Sequence, residues 1–287
     1  MRSRIFYSRM SDRINRMSSW APNINRRIIP KANPILKVIH NNSGFFSCCS
    51  FQLHMIVEYF NRHKKLPEIV DSSEQFDWYR PGTMETYFTT ESSLSITIKK
   101  RVDYEHHYQY LNYKKLDYKG LAPFIVKYFT PSSEIKDIMA EMELKYPLDY
   151  ANTCCLFYRG NDKATETALS SYSDYIVRAK AVLQANPKTQ FLVQSDETEF
   201  IETMVAEFPN RVVWFKDEIR HIRKSVTTVD KVFQGDNYRF SKYFLAITLI
   251  MAKCGTIICG TGNCSIWIAL FRGNAEGMQQ FLNRRWL

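Results

Sequence analysis

The sequence predicts an α/β protein built on parallel sheet, and three observations carry that expectation. Short apolar runs alternate with helix-length segments from residue 35 onward, the order that makes a sheet covered by helices on both faces. The run Cys154-Cys155-Leu156-Phe157-Tyr158 is continuously apolar and reads as a strand buried on both sides. Three strands then end in polar residues, at Arg159, Ser195 and Gly260, and ligands in such folds sit outside the carboxyl ends of the strands.

The elements follow in order. Residues 34–39 read as a first strand, followed by the loop His40-Asn41-Asn42-Ser43-Gly44. An amphipathic helix over about 47–64 places Leu53, Ile56, Val57 and Phe60 on one face. Pro67 breaks it, and residues 68–71 form a second short strand. The stretch 72–150 is rich in Tyr, Phe, Lys and His and predicts only one helix, near 133–145, opened by Pro131-Ser132-Ser133-Glu134. From residue 152 the pattern is regular: strand 153–158, helix 171–184, strand 190–194, helix 197–208 and strand 211–215. A polar stretch over 218–236 shows no periodicity. A strongly apolar helix (238–253), the strand 256–259 and a last helix (263–271) complete the pattern. The expected organisation is a basic arm (1–34), a first α/β domain (35–150) and a second one (151–287).

Composition sets the bounds. The 287 residues are 45% apolar and 24% charged, which is globular. No stretch approaches the ~20 apolar residues of a membrane span. The first residues lack the apolar core of a secretory signal. Seven cysteines, two pairs of them adjacent, do not resemble a disulfide framework and point to a reducing, cytoplasmic compartment. The net charge of +10 is concentrated in the arm, where Arg2, Arg4, Arg9, Arg13, Arg16, Arg26, Arg27 and Lys31 face Asp12 alone. A solvated leader is the first reading of that arm, and contact with nucleic acid or an anionic surface the second. His106-His107 lie among Tyr104, Tyr108, Tyr110 and Tyr113, a cluster that suits local packing before it suits stacking on a single strand.

The candidate site is read from the strand ends. Arg159 presents a five-donor fork suited to phosphate, with Asp162 and Lys163 close behind. Ser195-Asp196 is either a helix cap or a carboxylate able to receive the N–H donors of a guanine edge. Gly260-Thr261-Gly262-Asn263-Cys264-Ser265 is a strand-to-helix turn whose glycines and N–H groups allow a phosphate close. About twenty residues follow it, too few for the rest of a mononucleotide-binding unit. No phosphate-binding P-loop, His-Glu-x-x-His or Cys-x-x-Cys pattern is present, so P-loop chemistry and zinc sites have no support.

Residues 150–272 resemble the donor domain of the fucosyltransferase superfamily that includes core α1,6-fucosyltransferases, nodulation fucosyltransferases and protein O-fucosyltransferases. The family's strand ending His-x-Arg-Arg-x-Asp-Lys is similar to Phe157-Tyr158-Arg159-Gly160-Asn161-Asp162-Lys163, followed by Glu166. Its Ala-Thr-Asp-Asp turn is similar to Gln194-Ser195-Asp196, and its helix, strand and Ser/Asn-rich turn to residues 245–265. Phe157 stands in place of the motif histidine and Gly160 in place of the second arginine. Glu166 falls one residue short of the family's acidic position.

The resemblance implies a GT-B-like fold: two Rossmann-like α/β domains whose parallel sheets face a central cleft. It also implies an inverting transfer of fucose, or a related sugar, from a GDP-sugar to a glycan acceptor without cofactor or metal. In that role Arg159, Asp162 and Glu166 are the catalytic candidates. Arg159, Lys163, Ser195, Asp196, Thr261, Gly262, Asn263 and Ser265 would hold the donor, and Asn42, Ser43 and Gly44 would form an acceptor-side loop. The lack of a signal or anchor separates the chain from Golgi enzymes and suggests a bacterial or viral setting. Two alternatives stay open: a non-catalytic glycan- or nucleotide-binding relative, and a nucleic-acid binder working through the arm.

Overall fold

Strand β1 (Ile35–Lys37) pairs in parallel with β2 (Ile69–Asp71) across helix α1 (Phe45–His63), the β-α-β opening expected. The structure is a computed structural model that describes residues 34–39, 43–72, 86–90 and 100–287. The basic arm up to Asn33, loop residues His40 to Asn42, and residues 73–85 and 91–99 lie outside the described residues. Helix α1 ends where Lys64 turns left-handed (φ 55°) and closes onto the Phe60 carbonyl, a common way for a helix to stop.

The stretch 72–150 holds more than the one helix predicted. Strand β3 (Phe88–Thr89) pairs antiparallel with β4 (Thr130–Pro131), and between them lies helix α2 (Tyr118–Tyr128). Pro123 sits inside α2, and a proline at such a position obscures a helix in sequence. Asp117 caps it by accepting the Gly120 N–H at 2.9 Å. Helix α3 (Ser133–Lys145) is the predicted one, with Ser132 as its cap.

Six strands then form one sheet: β5 (Thr153–Tyr158), β6 (Gln190–Ser195), β7 (Val212–Val213), β8 (Thr256–Gly260), β9 (Met278–Leu282) and β10 (Arg285–Trp286), in the order β10-β9-β8-β5-β6-β7. All pairings are parallel except β9 with β10. The connecting helices are α4 (Tyr172–Ala185), α5 (Thr198–Glu207), α6 (Val229–Val232), α7 (Asn237–Lys253) and α8 (Asn263–Arg272). Helix α4 opens on a capping box between Ser171 and Asp174.

Two expectations need correction. The strand predicted over 211–215 shortens to Val212–Val213. The residues after α8 are enough: they supply β9, parallel to β8, and so complete a β8-α8-β9 unit.

Residues 35–287 cluster as one unit, so the halves on either side of residue 150 share a core. Trp267 of α8 is fully buried between Phe46, Phe129 and Phe271, and its indole N–H donates to Ser50 Oγ of α1 at 2.9 Å. Tyr87 and Ser241 share a second buried bond at 2.8 Å. Among the described residues no helix is long and apolar enough to cross a membrane.

Candidate functional site

Strands β8, β5 and β6 are neighbours, and their register brings Cys259 beside Phe157 and Tyr158 beside Ser195. The three polar strand ends therefore meet along one edge of the sheet, as the sequence predicts. Buried β5 stops at Tyr158, and Arg159 emerges from it, 29% exposed at the side chain. Its guanidinium pairs with Asp162 at 2.9 Å and with Asp196.

Asp196 does not cap the helix that follows. One of its oxygens accepts the Gly160 N–H at 2.9 Å and the other faces Arg159. Its backbone carbonyl accepts from Asn161 Nδ2 at 2.8 Å and from the Ile222 N–H at 3.0 Å. Asn161 itself is buried and left-handed (φ 43°), a conformation that asparagine tolerates better than most residues. Its Oδ1 accepts the Ser225 N–H at 2.9 Å. The polar stretch that shows no periodicity is therefore structural here, because residues 222–225 run along the end of β6 and brace the Arg159 turn.

The turn into α8 is filled from the first half of the chain. Tyr113 Oη accepts the Gly262 N–H at 3.1 Å and lies 3.1 Å from the Gly262 carbonyl, while the Tyr113 N–H donates to Gln280 Oε1 at 3.0 Å. Thr261 Oγ1 donates to the Phe281 carbonyl and receives Gln280 Nε2. Ser195 and Ser265 are also buried, and Ser195 Oγ accepts the Glu197 N–H at 3.0 Å. Of the donor candidates in this group, Asn263 is partly exposed and begins α8. The first N–H groups of any helix lack an internal partner, so that end remains a suitable place for an anion.

Lys163 and Glu166 form a second pair, 2.5 Å apart. Gln109 Oε1 accepts from Lys163 at 3.3 Å, and the Tyr110 hydroxyl donates to Glu166 Oε2 at 3.1 Å. Burial first, then the charge of Glu166, pushes the Tyr110 phenol up, so Tyr110 remains a donor. Both donors to Glu166 use Oε2, so Oε1 of this half-exposed side chain is not engaged by either.

Arg159, Asp162, Lys163, Glu166 and Asp196 are thus assembled at one edge, with Thr261, Gly262, Asn263 and Ser265 on the adjoining turn. Ser43 and Gly44 sit at the start of α1, where Ser43 Oγ meets Cys48 Sγ at 3.5 Å, and Asn42 lies outside the described residues. In the sequence Tyr110 and Tyr113 read as local packing, and nothing there marks Gln280 or the Ile222–Ser225 brace as part of the site. Their signals are contacts across the chain, such as the 149 residues between Tyr113 and Gly262.

Two cavities differ in meaning. The larger, about 710 Å³, opens at the opposite edge, beside the starts of β5, β8 and β9, where Asn186 and Glu276 line it. It is remote from the strand ends that carry the chemistry. The smaller, about 10 Å³, lies between Arg159, Ser170, Gly260 and Thr261, room for a single water. Among the described residues no cluster of His, Cys, Asp and Glu has the arrangement of a metal site.

This architecture has solved counterparts. The chain is similar to the crystal structure of NodZ α-1,6-fucosyltransferase soaked with GDP-fucose, with a TM-score of 0.55, 10% identity, and 87% of this chain and 95% of that one covered. It is similar to fucosyltransferase NodZ from Bradyrhizobium, with a TM-score of 0.54, 10% identity, and coverage of 89% and 98%. The form of NodZ co-crystallised with GDP gives a TM-score of 0.51 at 10% identity. No family description and no curated protein matches the sequence. At these identities the likeness is one of fold, and the fold is GT-B-like, as in those structures.

Proposed function

We propose that the chain is an inverting glycosyltransferase that moves fucose, or a related sugar, from a GDP-sugar to a glycan acceptor. The observation that supports it most is Arg159 standing at the carboxyl end of β5, flanked by the ends of β6 and β8 and the start of α8. As the bond between sugar and diphosphate breaks, the electron pair goes to the β-phosphate oxygen, and a guanidinium fork there stabilises the growing charge. The acceptor hydroxyl attacks the anomeric carbon and loses its proton to a carboxylate. Glu166 suits that part better than Asp162, because Asp162 is spent on Arg159 while neither donor to Glu166 engages its Oε1. The seven cysteines, buried and outside any disulfide, support a cytoplasmic setting.

The deciding experiment is a thermal-shift series. GDP and GDP-fucose at a hundredfold excess over Kd are expected to raise Tm by about 5 °C, and UDP-sugars not at all. Equal shifts with UDP-sugars would remove the guanine assignment. A transfer assay with labelled GDP-fucose separates the enzyme from a silent sugar-nucleotide binder. That second reading is favoured by the carboxylates around Arg159, which outnumber the cations.

Turnover is also expected to survive EDTA, since the sequence has no Asp-x-Asp pair to carry a divalent ion against a diphosphate. Loss of activity in EDTA, restored by Mn²⁺, would count against the mechanism.

A further inference from the structure

Directly behind the Arg159 turn lies a carboxylate that the mechanism leaves unused. Glu197 is 0% exposed, and a charge so far from water persists only where neighbours compensate it. Its Oε2 accepts the Asn161 N–H at 3.4 Å, and its Oε1 receives the Tyr172 hydroxyl and faces Lys224 Nζ at 3.9 Å. Tyr172 keeps its proton, because burial and then the bond to Glu197 push its phenol up. The carboxylate therefore occupies the hollow under residues 160–161, with a ring of Tyr158, Tyr172 and Phe200 beside it.

Gly160 records the same fact from the other side. A Cβ placed on it would lie 1.6 Å from Glu197 Oε2 and 2.8 Å from a Tyr158 ring carbon. A side chain there would have to displace both the Glu197 carboxylate and the Tyr158 ring. The space a side chain would need at this position is taken by the carboxylate behind it.

We infer that Glu197 is a positioning residue for Arg159. Its buried carboxylate fixes the Gly160–Asn161 turn, and the turn sets the direction in which the guanidinium leaves β5. The inference rests on reading Arg159 as the phosphate-binding group. Asp196 and Glu197 divide the work: Asp196 holds the Gly160 N–H and the guanidinium, Glu197 holds the Asn161 N–H.

Two variants of the full chain test it. Glu197→Gln keeps the shape and removes the charge, and Tyr172→Phe removes the hydroxyl that anchors Oε1. Both are expected to fold and to weaken GDP binding about tenfold or more, the scale of one hydrogen bond to a charged group. Amide exchange at Asn161 should quicken in both, without ligand. A carboxylate with a merely structural part would lower Tm and leave GDP affinity and Asn161 exchange at parental values in the folded protein. That result overturns the inference. If the parent itself does not bind GDP, the functional reading falls, and Asn161 exchange alone decides whether Glu197 holds the turn. Should Glu197→Gln fail to fold, Tyr172→Phe decides the matter by the same two measurements.

Discussion

Replacing Arg159 with alanine is expected to lower turnover by ~10²-fold or more, the scale of removing one donor to transition-state charge. Arg159→Lys should recover little, because a point charge cannot reproduce a bidentate fork. The guanidinium also has a structural part, which must be separated from the chemical one. It neutralises Asp196, whose side chain is 8% exposed. Removing one member of such a pair strands the other without compensation. Arg159→Ala is therefore expected to melt below the parent, and Arg159→Ala combined with Asp196→Asn should recover much of that loss without recovering turnover. Calorimetric melts beside a transfer assay read the two effects independently. A folded Arg159→Ala protein with near-parental turnover would remove the catalytic assignment.

The largest expected effect on stability belongs to Trp267→Ala. The indole is fully buried, its ring centroid lies 4.7 Å from that of Phe129 and 6.1 Å from that of Phe46, and its N–H donates to Ser50. Large-to-small changes of this kind cost roughly 3–5 kcal/mol, which corresponds to a fall in Tm on the order of 10 °C in a chain of this size. Ser50→Ala isolates the polar share: it leaves a buried indole N–H without its acceptor, at about 1–3 kcal/mol. Denaturant titration gives both values. A Trp267→Ala protein as stable as the parent would mean that the halves do not depend on a common core.

The legible parts of the fold are those whose signal is local. Strands β5, β6 and β8 are dense apolar runs, and their meeting follows from parallel α/β topology with no knowledge of distant contacts. Helix α1 shows in the spacing of Leu53, Ile56, Val57 and Phe60, all buried. Strand β9 did not show, because Gln279 and Gln280 give it a polar centre. Gln280 is buried all the same, since its amide is consumed by the Tyr113 N–H, the Leu111 carbonyl and Thr261. Helix α2 was masked by Pro123. At the site, the residues that emerge from strands were readable and those that hold them in place were not. Arg159 announces itself at the end of an apolar run. Nothing in Glu197 distinguishes it from a solvated glutamate opening a helix, because its burial depends on Tyr172 and Gly160, which other elements deliver. The same is true of Tyr113, whose hydroxyl meets the α8 turn only after the chain has folded.

The bond between Trp267 and Ser50 joins positions 217 residues apart in the chain. Strand β5, at the centre of the sheet, meets its neighbour β8 only after about a hundred further residues have been added, and such non-local pairing is slow to form. During synthesis, then, the first 250 residues have no finished core to join. Helix α1 packs early against Phe88 and Phe124, but the part of its apolar face that Trp267 covers must wait until α8 leaves the ribosome, and β5 waits with an unpaired edge. That interval is when the chain is most exposed to aggregation and to chaperones. A ribosome stalled before Trp267 would hold a nascent chain that proteases cut within α1. Release of the last helix would make the whole chain resistant together.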